Sequence, residues 1–250
     1  MAGLTIFGVP GLPEITNGMD LGALIADAAT SARTALQDGD IVVVTSKIVS
    51  KAEGRQVRLA DIKVSPFAQQ YAEKWEKDPA IVELVLQESR RVVRQVGPIL
   101  ITETRHGFIC ANSGVDQSSS GGEGIAVALP IDPDASAATI RASFKAKGID
   151  AAVIISDTFG RPWREAQTDI AIGVAGMQPV TSYIGQVDPH GHEFRVQALC
   201  TADEIAGAAE LVKGNISRVP VAVVRGLPWE PDDTATMQSI IRDSERDLFR

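Results

Sequence analysis

The chain has 250 residues, of which 44% are hydrophobic and 22% are charged. These proportions are typical of a globular protein and exclude an intrinsically disordered one. A chain of this length buries about 70 to 75% of the surface that it exposes when unfolded, so its core needs no disulfide or structural metal. The formal net charge of −8 repels polyanions. We therefore expect neither a nucleic-acid partner nor an anionic membrane surface.

Cysteine content and apolar runs indicate the compartment. Cys110 and Cys200 are too far apart for a paired metal motif and too few for a disulfide framework, which fits a reducing environment. The first residues contain no basic segment followed by a long apolar one, and no apolar run reaches the roughly 20 residues of a membrane helix. The sequence therefore predicts a cytoplasmic protein with no membrane segment.

In chain order, apolar β-branched runs alternate with amphipathic helical patterns. A strand over 4–10 precedes a helix over 21–36 that Asp20 caps. The unbroken apolar run at 41–44 predicts a strand buried on both faces of a sheet. Further helices open at Ser65-Pro66 and at Asp78-Pro79, because proline is favoured in a first helical turn. Together these two helices predict a helical insertion over about 65–97.

The second half of the chain returns to strands. Strands are predicted at 98–104, 107–112, 123–130, near 179–188 and at 219–227, and helices at 134–148 and 202–214. Residues 150–161 are predicted as a strand that runs into a loop, and a further loop is predicted at 162–169. The pattern favours an α+β fold with mixed β-sheets and flanking helices in two lobes. It places one domain at 1–228 and a polar C-terminal tail at 229–250.

Common nucleotide and hydrolase motifs are missing from the sequence. It contains no G-x-x-x-x-G-K-[ST], and the glycines of SSSGGEG do not form G-x-G-x-x-G after a strand. It also contains no G-x-S-x-G and no H-E-x-x-H. The chemistry must therefore be carried by other residues.

Two predicted strands each run directly into an acid flanked by hydroxyl groups. These acids are Asp116 in FICANSGVDQSSS, and Asp157, next to Thr158, in AVIISDTFGR. Mg²⁺ and Mn²⁺ favour oxygen ligands, commonly one or two carboxylates completed by water and phosphate oxygens. If the two strands are neighbours, these residues predict a divalent-cation site. The alternative is that each acid caps a turn or a helix start.

Basic residues lie close to these acids in the sequence. Lys47 and Lys51 follow a buried strand, and Arg161 and Arg164 follow Asp157. Arginine offers a rigid donor fork to phosphate or carboxylate oxygens, whereas lysine acts as a mobile point charge. Both groups suit a phosphorylated substrate, and the alternative is that they are solvated loop charges.

Six segments, taken together and in order, resemble the coenzyme F-420:L-glutamate ligase family, the gamma-glutamyl ligases of a deazaflavin coenzyme. The segments are GLPEI, DGDIVVVTSKIVSKAEGR, ITETRHGFICANSGVD, LPIDPDASAATIR, ISDTFGRPWREAQTDIAIG and ELVKGNISRVPVAVVRGL. The similarity covers residues 5–228. The chain resembles the stand-alone form, without the C-terminal nitroreductase-like domain of many bacterial members.

The resemblance implies a GTP-dependent ligase. Such an enzyme joins L-glutamate to the lactyl carboxylate of the deazaflavin phosphodiester, adds further glutamates through gamma linkages, and releases GDP and phosphate. The family uses Mg²⁺ or Mn²⁺ with K⁺ as an activator, and its members form intertwined homodimers.

The resemblance also assigns residues. The implied metal ligands are Asp116, Asp157 and Thr158, and the implied catalytic residues are Lys51, Asp116 and Asp157. The implied nucleotide contacts are Leu12, Pro13, Glu14, Ile15, Ser46, Lys51, Ser119, Lys213, Gly214 and Asn215. Arg161 and Arg164 are candidates to bind the acidic substrates. Ser119 stands where the family usually has asparagine, and Asn215 stands where archaeal relatives have an acid that resembles a second metal ligand.

Two other functions stay open on the sequence. An aspartyl-phosphate type of phosphatase would use Asp157 as nucleophile, but its D-x-D pattern fails because Phe159 takes the place of the second aspartate. A non-catalytic nucleotide-binding relative is the other alternative, which the changes at Ser119 and Asn215 suggest.

Overall fold

The computed structural model describes residues 3–118 and 120–247. The helices are α1 (Leu21–Ser31), α2 (Ser46–Ala52), α3 (Pro66–Trp75), α4 (Pro79–Gln87), α5 (Pro133–Ala146) and α6 (Thr201–Lys213). The longer strands are β1 (Thr5–Gly8), β2 (Ile41–Thr45), β3 (Gln56–Arg58), β4 (Ser89–Val96), β5 (Ile99–Thr104), β6 (Ile109–Ala111), β7 (Ile125–Val127), β8 (Ala152–Arg161), β9 (Arg164–Met177) and β12 (Val221–Arg225). Two-residue strands are β10 (Thr181–Ser182), β11 (Ala198–Leu199) and β13 (Pro231–Asp232).

A six-stranded mixed sheet forms the centre of the protein, in the order β1-β12-β2-β8-β9-β13. Only β2 and β8 run parallel, and every other neighbouring pair in this sheet is antiparallel. The expected α+β class, with a mixed sheet and flanking helices, is therefore confirmed.

Helices cover the central sheet. α5 packs on β8 and β9 and also contacts α1, while α6 packs on β9, β1 and β12. Residues 41–44 of β2 and 152–155 of β8 are accordingly 0% exposed. Strands that are buried on both faces have no room for polar side chains, which explains their unbroken apolar sequence.

Smaller sheets lie outside the central one. β3 pairs with β7, and β4, β5 and β6 form a three-stranded antiparallel sheet. Hydrophobic residues of α3, α4 and these strands form two clusters separate from the main core. The division into two lobes stays a prediction. Among the described residues, no helix has both the length and the apolar character needed to cross a membrane.

The predicted helical insertion over 65–97 is correct only in its first part. α4 ends at Gln87, and Ser89–Val96 form strand β4, which pairs with β5. The sequence of β4 is rich in valine, whose β-branched side chain favours strands. Gly97 has a φ of 55° and turns the chain directly into β5.

The predicted loop at 162–169 was wrong. Arg164–Met177 form strand β9, which pairs with β8 in a long antiparallel hairpin whose turn includes Trp163 with a φ of 64°. The polar sequence after Arg164 is typical of a loop. These residues instead extend the hairpin beyond the part of the sheet that the helices cover. The strand expected near 179–188 is reduced to β10, which pairs with β11.

Two further differences concern α2 and the tail. The sequence showed only a strand before Lys51, whereas Ser46–Ala52 are helical. In the tail, β13 pairs with β9, and the side chain of Met237 is 0% exposed in the main core. The C-terminal segment is thus polar in composition but partly built into the sheet.

Candidate active site

One edge of the central sheet gathers several of the predicted site segments. β2 and β8 are parallel and in register, with Thr45 opposite Ser156, so the residues that follow β2 lie beside Asp157. β12 is antiparallel to β2, and the carbonyl of Pro220 accepts a hydrogen bond from the Thr45 amide at 3.0 Å. The end of β1 lies at the same edge, since the Val9 amide donates to the Val221 carbonyl at 2.8 Å.

Asp116 reaches this edge from another part of the chain. It forms an antiparallel bridge with Val127, with amide-to-carbonyl distances of 3.0 and 2.8 Å. Asp116 and Asp157 then line one cavity of about 20 Å³, together with Ser46, Lys47, Ser50, Gly114, Val127, Ala128 and Leu129. A cavity of this volume holds one water-sized particle. The two acids that the sequence singled out thus meet in space.

Asp157 is a partly buried acid of the cavity. Its carboxylate accepts a hydrogen bond from the Ser46 hydroxyl, with 2.7 Å between Oγ and Oδ1. Burial is the largest influence and raises the pKa of Asp157 to about 7. The bond from Ser46 acts in the opposite direction, while the charges of Asp169 and Asp116 raise the pKa further. Ionised Asp157 is therefore costly unless a cation joins it.

Asp116 has the opposite electrostatic character. Lys47 Nζ lies 2.7 Å from its Oδ2, and the amide and hydroxyl of Ser118 donate to it at 2.7 and 2.8 Å. Burial alone would raise the pKa of Asp116, but the hydrogen bonds from Lys47 and Ser118 outweigh burial and lower it. Asp116 is therefore ionised over the whole physiological range.

The donor set of the cavity fits a divalent cation. Two carboxylates are the protein ligands that Mg²⁺ commonly uses, with water and phosphate oxygens in the other positions. The Ser50 hydroxyl is buried and has no hydrogen-bond partner among the described residues, although Ser50 lines the cavity. A buried hydroxyl normally has a partner, so this one indicates a polar species in the cavity. Within residues 3–118 and 120–247, no three His, Cys, Asp or Glu side chains are grouped as ligands of one ion.

Thr158 lies on the other side of β8. Neighbouring residues of a strand point to opposite faces, so its side chain leaves the sheet away from that of Asp157. Its hydroxyl donates to Asp169 Oδ1 at 2.6 Å, and Asp169 Oδ2 also accepts from Ser156 at 3.0 Å and from Lys213 Nζ at 2.8 Å. The Thr158 hydroxyl is thus not grouped with the two acids of the cavity.

Lys51 forms an ion pair with Glu14. It is 6% exposed, and its Nζ lies 2.5 Å from Oε1 of Glu14, whose side chain is mostly exposed. Glu14 belongs to the loop that follows β1, with Leu12, Pro13 and the buried Ile15. The structure therefore joins two of the segments that the family resemblance assigned to the nucleotide.

The remaining predicted residues are dispersed. Gly214 and Asn215 are exposed at the start of the loop that leads from α6 to β12. Arg161 and Arg164 are opposite each other and exposed at the end of the β8–β9 hairpin, away from the cavity lining. Ser119 lies outside the described residues.

A larger cavity, of about 430 Å³, lies between the loop after β1 and helix α1. Pro10, Gly11 and Pro13 line it on one side, and among the described residues Asp27 is its one charged lining residue. No described basic side chain lines this cavity, and neither Asp116 nor Asp157 does. The two predicted acids thus lie at the smaller cavity.

Sequence reasoning missed Asp169 and Ser50. Asp169 was placed in a loop, and only the pairing of β9 with β8 brings it beside Thr158. Ser50 is four residues after Ser46, so a helical assignment of 46–52 would have put both hydroxyls on one face. The missed helix thus concealed the second serine.

Fold and site together define an α+β protein with a carboxylate-lined cavity, next to lysines that suit an anionic substrate. The model of the F420-0:gamma-glutamyl ligase family matches residues 11–226. The coenzyme F420:L-glutamate ligase of Methanothermobacter thermautotrophicus is 42% identical over 99% of both chains. The enzyme of the same name from Methanopyrus kandleri is 39% identical over 100% of both chains. The one from Halorubrum lacusprofundi is 40% identical over 99% of this chain and 96% of its own. The chain therefore belongs to the F420-0:gamma-glutamyl ligase family.

Proposed function

We propose that this protein joins L-glutamate to the lactyl carboxylate of the deazaflavin F420-0 and then adds gamma-linked glutamates, with GTP converted to GDP and phosphate. Membership of the family and the full-length relatives of the same name support the ligase activity. The observation that carries the mechanism is the convergence of Asp116 and Asp157 on one cavity that Lys47 also lines, next to the helix that carries Lys51.

The reaction has two steps in this proposal. An oxygen of the acceptor carboxylate attacks the γ-phosphorus of GTP, the bond from that phosphorus to the β-γ bridging oxygen breaks, and GDP leaves. The amino group of glutamate then attacks the acyl phosphate, the carbon–oxygen bond to phosphate breaks, and the nitrogen loses a proton. One amide, one GDP and one phosphate are the products.

The chain's residues have distinct tasks. Asp116 and Asp157 would hold Mg²⁺ or Mn²⁺, which supplies charge neutralisation of the phosphates and their alignment. Ser46 keeps one oxygen of Asp157 occupied, which leaves the other for the cation. Lys51 is almost fully buried and is therefore held in one position to bind a phosphate oxygen.

Other residue roles and properties carried over from the family are also proposals. The loop 12–15 and residues 213–215 would contact the nucleotide, because both segments lie at the sheet edge that bears the cavity. Lys213 would do so through its main chain, since Asp169 and Ser156 hold its ammonium group. K⁺ as activator and an intertwined homodimer are further family properties that we propose for this chain. Light scattering of the purified protein tests the dimer, and omission of K⁺ from the assay tests the activator.

The decisive experiment incubates the protein with GTP, Mg²⁺ or Mn²⁺, L-glutamate and the deazaflavin acceptor. Mass spectrometry should then detect glutamate-sized increments on the acceptor, with GDP formed in equal amount to the amide bonds. ATP in place of GTP tests the nucleotide preference. Phosphate release that does not depend on glutamate would refute ligation and favour a phosphatase.

The Asp157→Ala variant tests the cavity itself. It should abolish GTP turnover while circular dichroism and the unfolding midpoint show a folded protein. Asp27→Ala, an exposed acid in the other cavity, is the control. Near-normal ligation by the Asp157 variant would contradict its assignment as a ligand.

A further inference from the structure

Lys47 is paired with one of the two acids of the cavity. Its Nζ lies 2.7 Å from Asp116 Oδ2 and 2.9 Å from Ser118 Oγ, and the residue itself lines the cavity. Asp116 is thus paired with an ammonium group at the place where its carboxylate is expected to bind a divalent cation. A single carboxylate that is shared by two cations binds each of them less tightly than it would bind one, because the cations repel.

The two lysines of α2 differ in their freedom to move. The Lys51 side chain is 7% exposed, whereas that of Lys47 is 26% exposed. A lysine ammonium is a point charge on a flexible four-carbon stem, so a half-buried one can change partners without a change of the backbone. Lys47 therefore has the mobility that an exchange of partners requires.

The charges at the cavity indicate which partner the Lys47 ammonium takes when the ligands bind. A triphosphate that arrives with a divalent cation brings negative charge to the cavity mouth, next to α2. The cation then neutralises Asp116, and the phosphate oxygens become the strongest nearby acceptors for the lysine.

We propose that Lys47 competes with the divalent cation for Asp116 and moves from this carboxylate to a nucleotide phosphate when the cation binds. Before the nucleotide arrives, Lys47 competes with the cation for Asp116. Afterwards it binds a phosphate oxygen. The inference rests on the proposed function in one respect, namely that the cavity binds a divalent cation and a nucleoside triphosphate.

The test measures binding and not turnover, so it does not depend on whether the protein is a ligase. Electron paramagnetic resonance gives the Kd of Mn²⁺ without nucleotide for the wild type, Lys47→Met, Lys47→Arg and Lys147→Met. Calorimetry at saturating Mn²⁺ then gives the Kd of a non-hydrolysable GTP analogue. Lys147 is the matched control, because it forms an exposed ion pair with Asp27 at 2.9 Å.

The two affinities of Lys47→Met should change in opposite directions. We expect Mn²⁺ to bind roughly 3 to 10 times more tightly and the GTP analogue roughly 10 times or more weakly. Lys47→Arg should stay near the wild type in both, and Lys147→Met should match it. Unchanged or weaker Mn²⁺ binding by Lys47→Met, unchanged nucleotide binding, or an arginine variant that behaves as the methionine does, would each overturn the proposal. If the wild type binds both ligands but forms no amide, only the ligase function fails.

Discussion

Lys213 and Asp169 form an ion pair of 2.8 Å between Nζ and Oδ2, and both side chains are only 3% exposed. The pair joins the last residue of α6 to β9, at the start of the loop that leads to β12. Lys213 Nζ also donates to Ser156 Oγ at 2.7 Å. The Lys213 ammonium is thus bound by groups of the protein itself. It fixes the position at which the exposed loop after α6 begins.

The buried pair gives a stability prediction. Removal of one partner leaves an uncompensated buried charge, so Asp169→Asn or Lys213→Met should each lower the free energy of unfolding by about 3 to 5 kcal/mol. Replacement of both by apolar residues, Asp169→Leu with Lys213→Met, should recover most of that loss. Urea denaturation measures all three variants, with Lys147→Met as an exposed-pair control. Single variants that lose less than about 1 kcal/mol would contradict the prediction.

A second prediction concerns pH. Folding raises the pKa of Asp157 to about 7, mainly by burial, whereas an unfolded chain releases this proton near pH 4. The folded protein therefore holds one more proton between these values, and its stability falls as the pH rises from about 4 to 7. Asp157→Asn removes this loss, so at pH 8 it should be more stable than the wild type by up to about 4 kcal/mol.

Urea titrations from pH 5 to 8 in the presence of a chelator measure this effect. Asp27→Asn, at an exposed position, should follow the wild type. An Asp157→Asn variant whose stability changes with pH as the wild type does would show that Asp157 keeps an ordinary pKa. In the wild type, Mn²⁺ affinity should rise through the same pH range, because the metal binds only the ionised carboxylate.

The sequence predicted the parts of the fold that local patterns determine. The strand β2 and the helices α1 and α5 were predicted with the correct type. Burial on both faces gives β2 an unbroken apolar run, Asp20 caps α1, and α5 has a helical composition. β9 was not predicted, since its polar first half becomes a strand only through its pairing with β8. That pairing is a tertiary effect, which a local pattern does not contain.

The same distinction applies to the site. Asp116 and Asp157 were found because each follows an apolar strand, and their convergence was predicted and is seen in the cavity. Thr158 was grouped with them by its place in the sequence, yet strand alternation turns its hydroxyl towards Asp169. Asp169 itself was missed for the same reason that β9 was.

A third prediction tests the wall of the cavity at Gly114. This glycine has a φ of +68°, and a Cβ there would lie 2.8 Å from Cγ and Cδ1 of Leu129, another lining residue. Gly114→Ala should therefore displace Leu129, cost about 2 to 3 kcal/mol of stability and weaken Mn²⁺ binding. Gly148→Ala is the matched control, because its φ is +77° but nothing lies within 4 Å of its Cβ. Equal Mn²⁺ affinity in both variants would contradict the assignment of this cavity.

The last prediction concerns the Ser50 hydroxyl, which is buried without a partner among the described residues. Ser50→Ala removes a polar group that the fold does not satisfy, so without metal its free energy of unfolding should stay the same or rise by up to about 1 kcal/mol. Mn²⁺ should bind several-fold more weakly, because the cation or its water loses an oxygen partner. Ser136→Ala is the control, because the buried Ser136 hydroxyl has partners in the Glu53 carboxylate and the Asp132 carbonyl. This variant should lose about 1.5 to 3 kcal/mol of stability and keep its Mn²⁺ affinity. Electron paramagnetic resonance titrations measure the Mn²⁺ affinity, and urea denaturation measures the stability. A Ser50 variant with wild-type Mn²⁺ affinity would mean that the hydroxyl does not contact the occupant of the cavity.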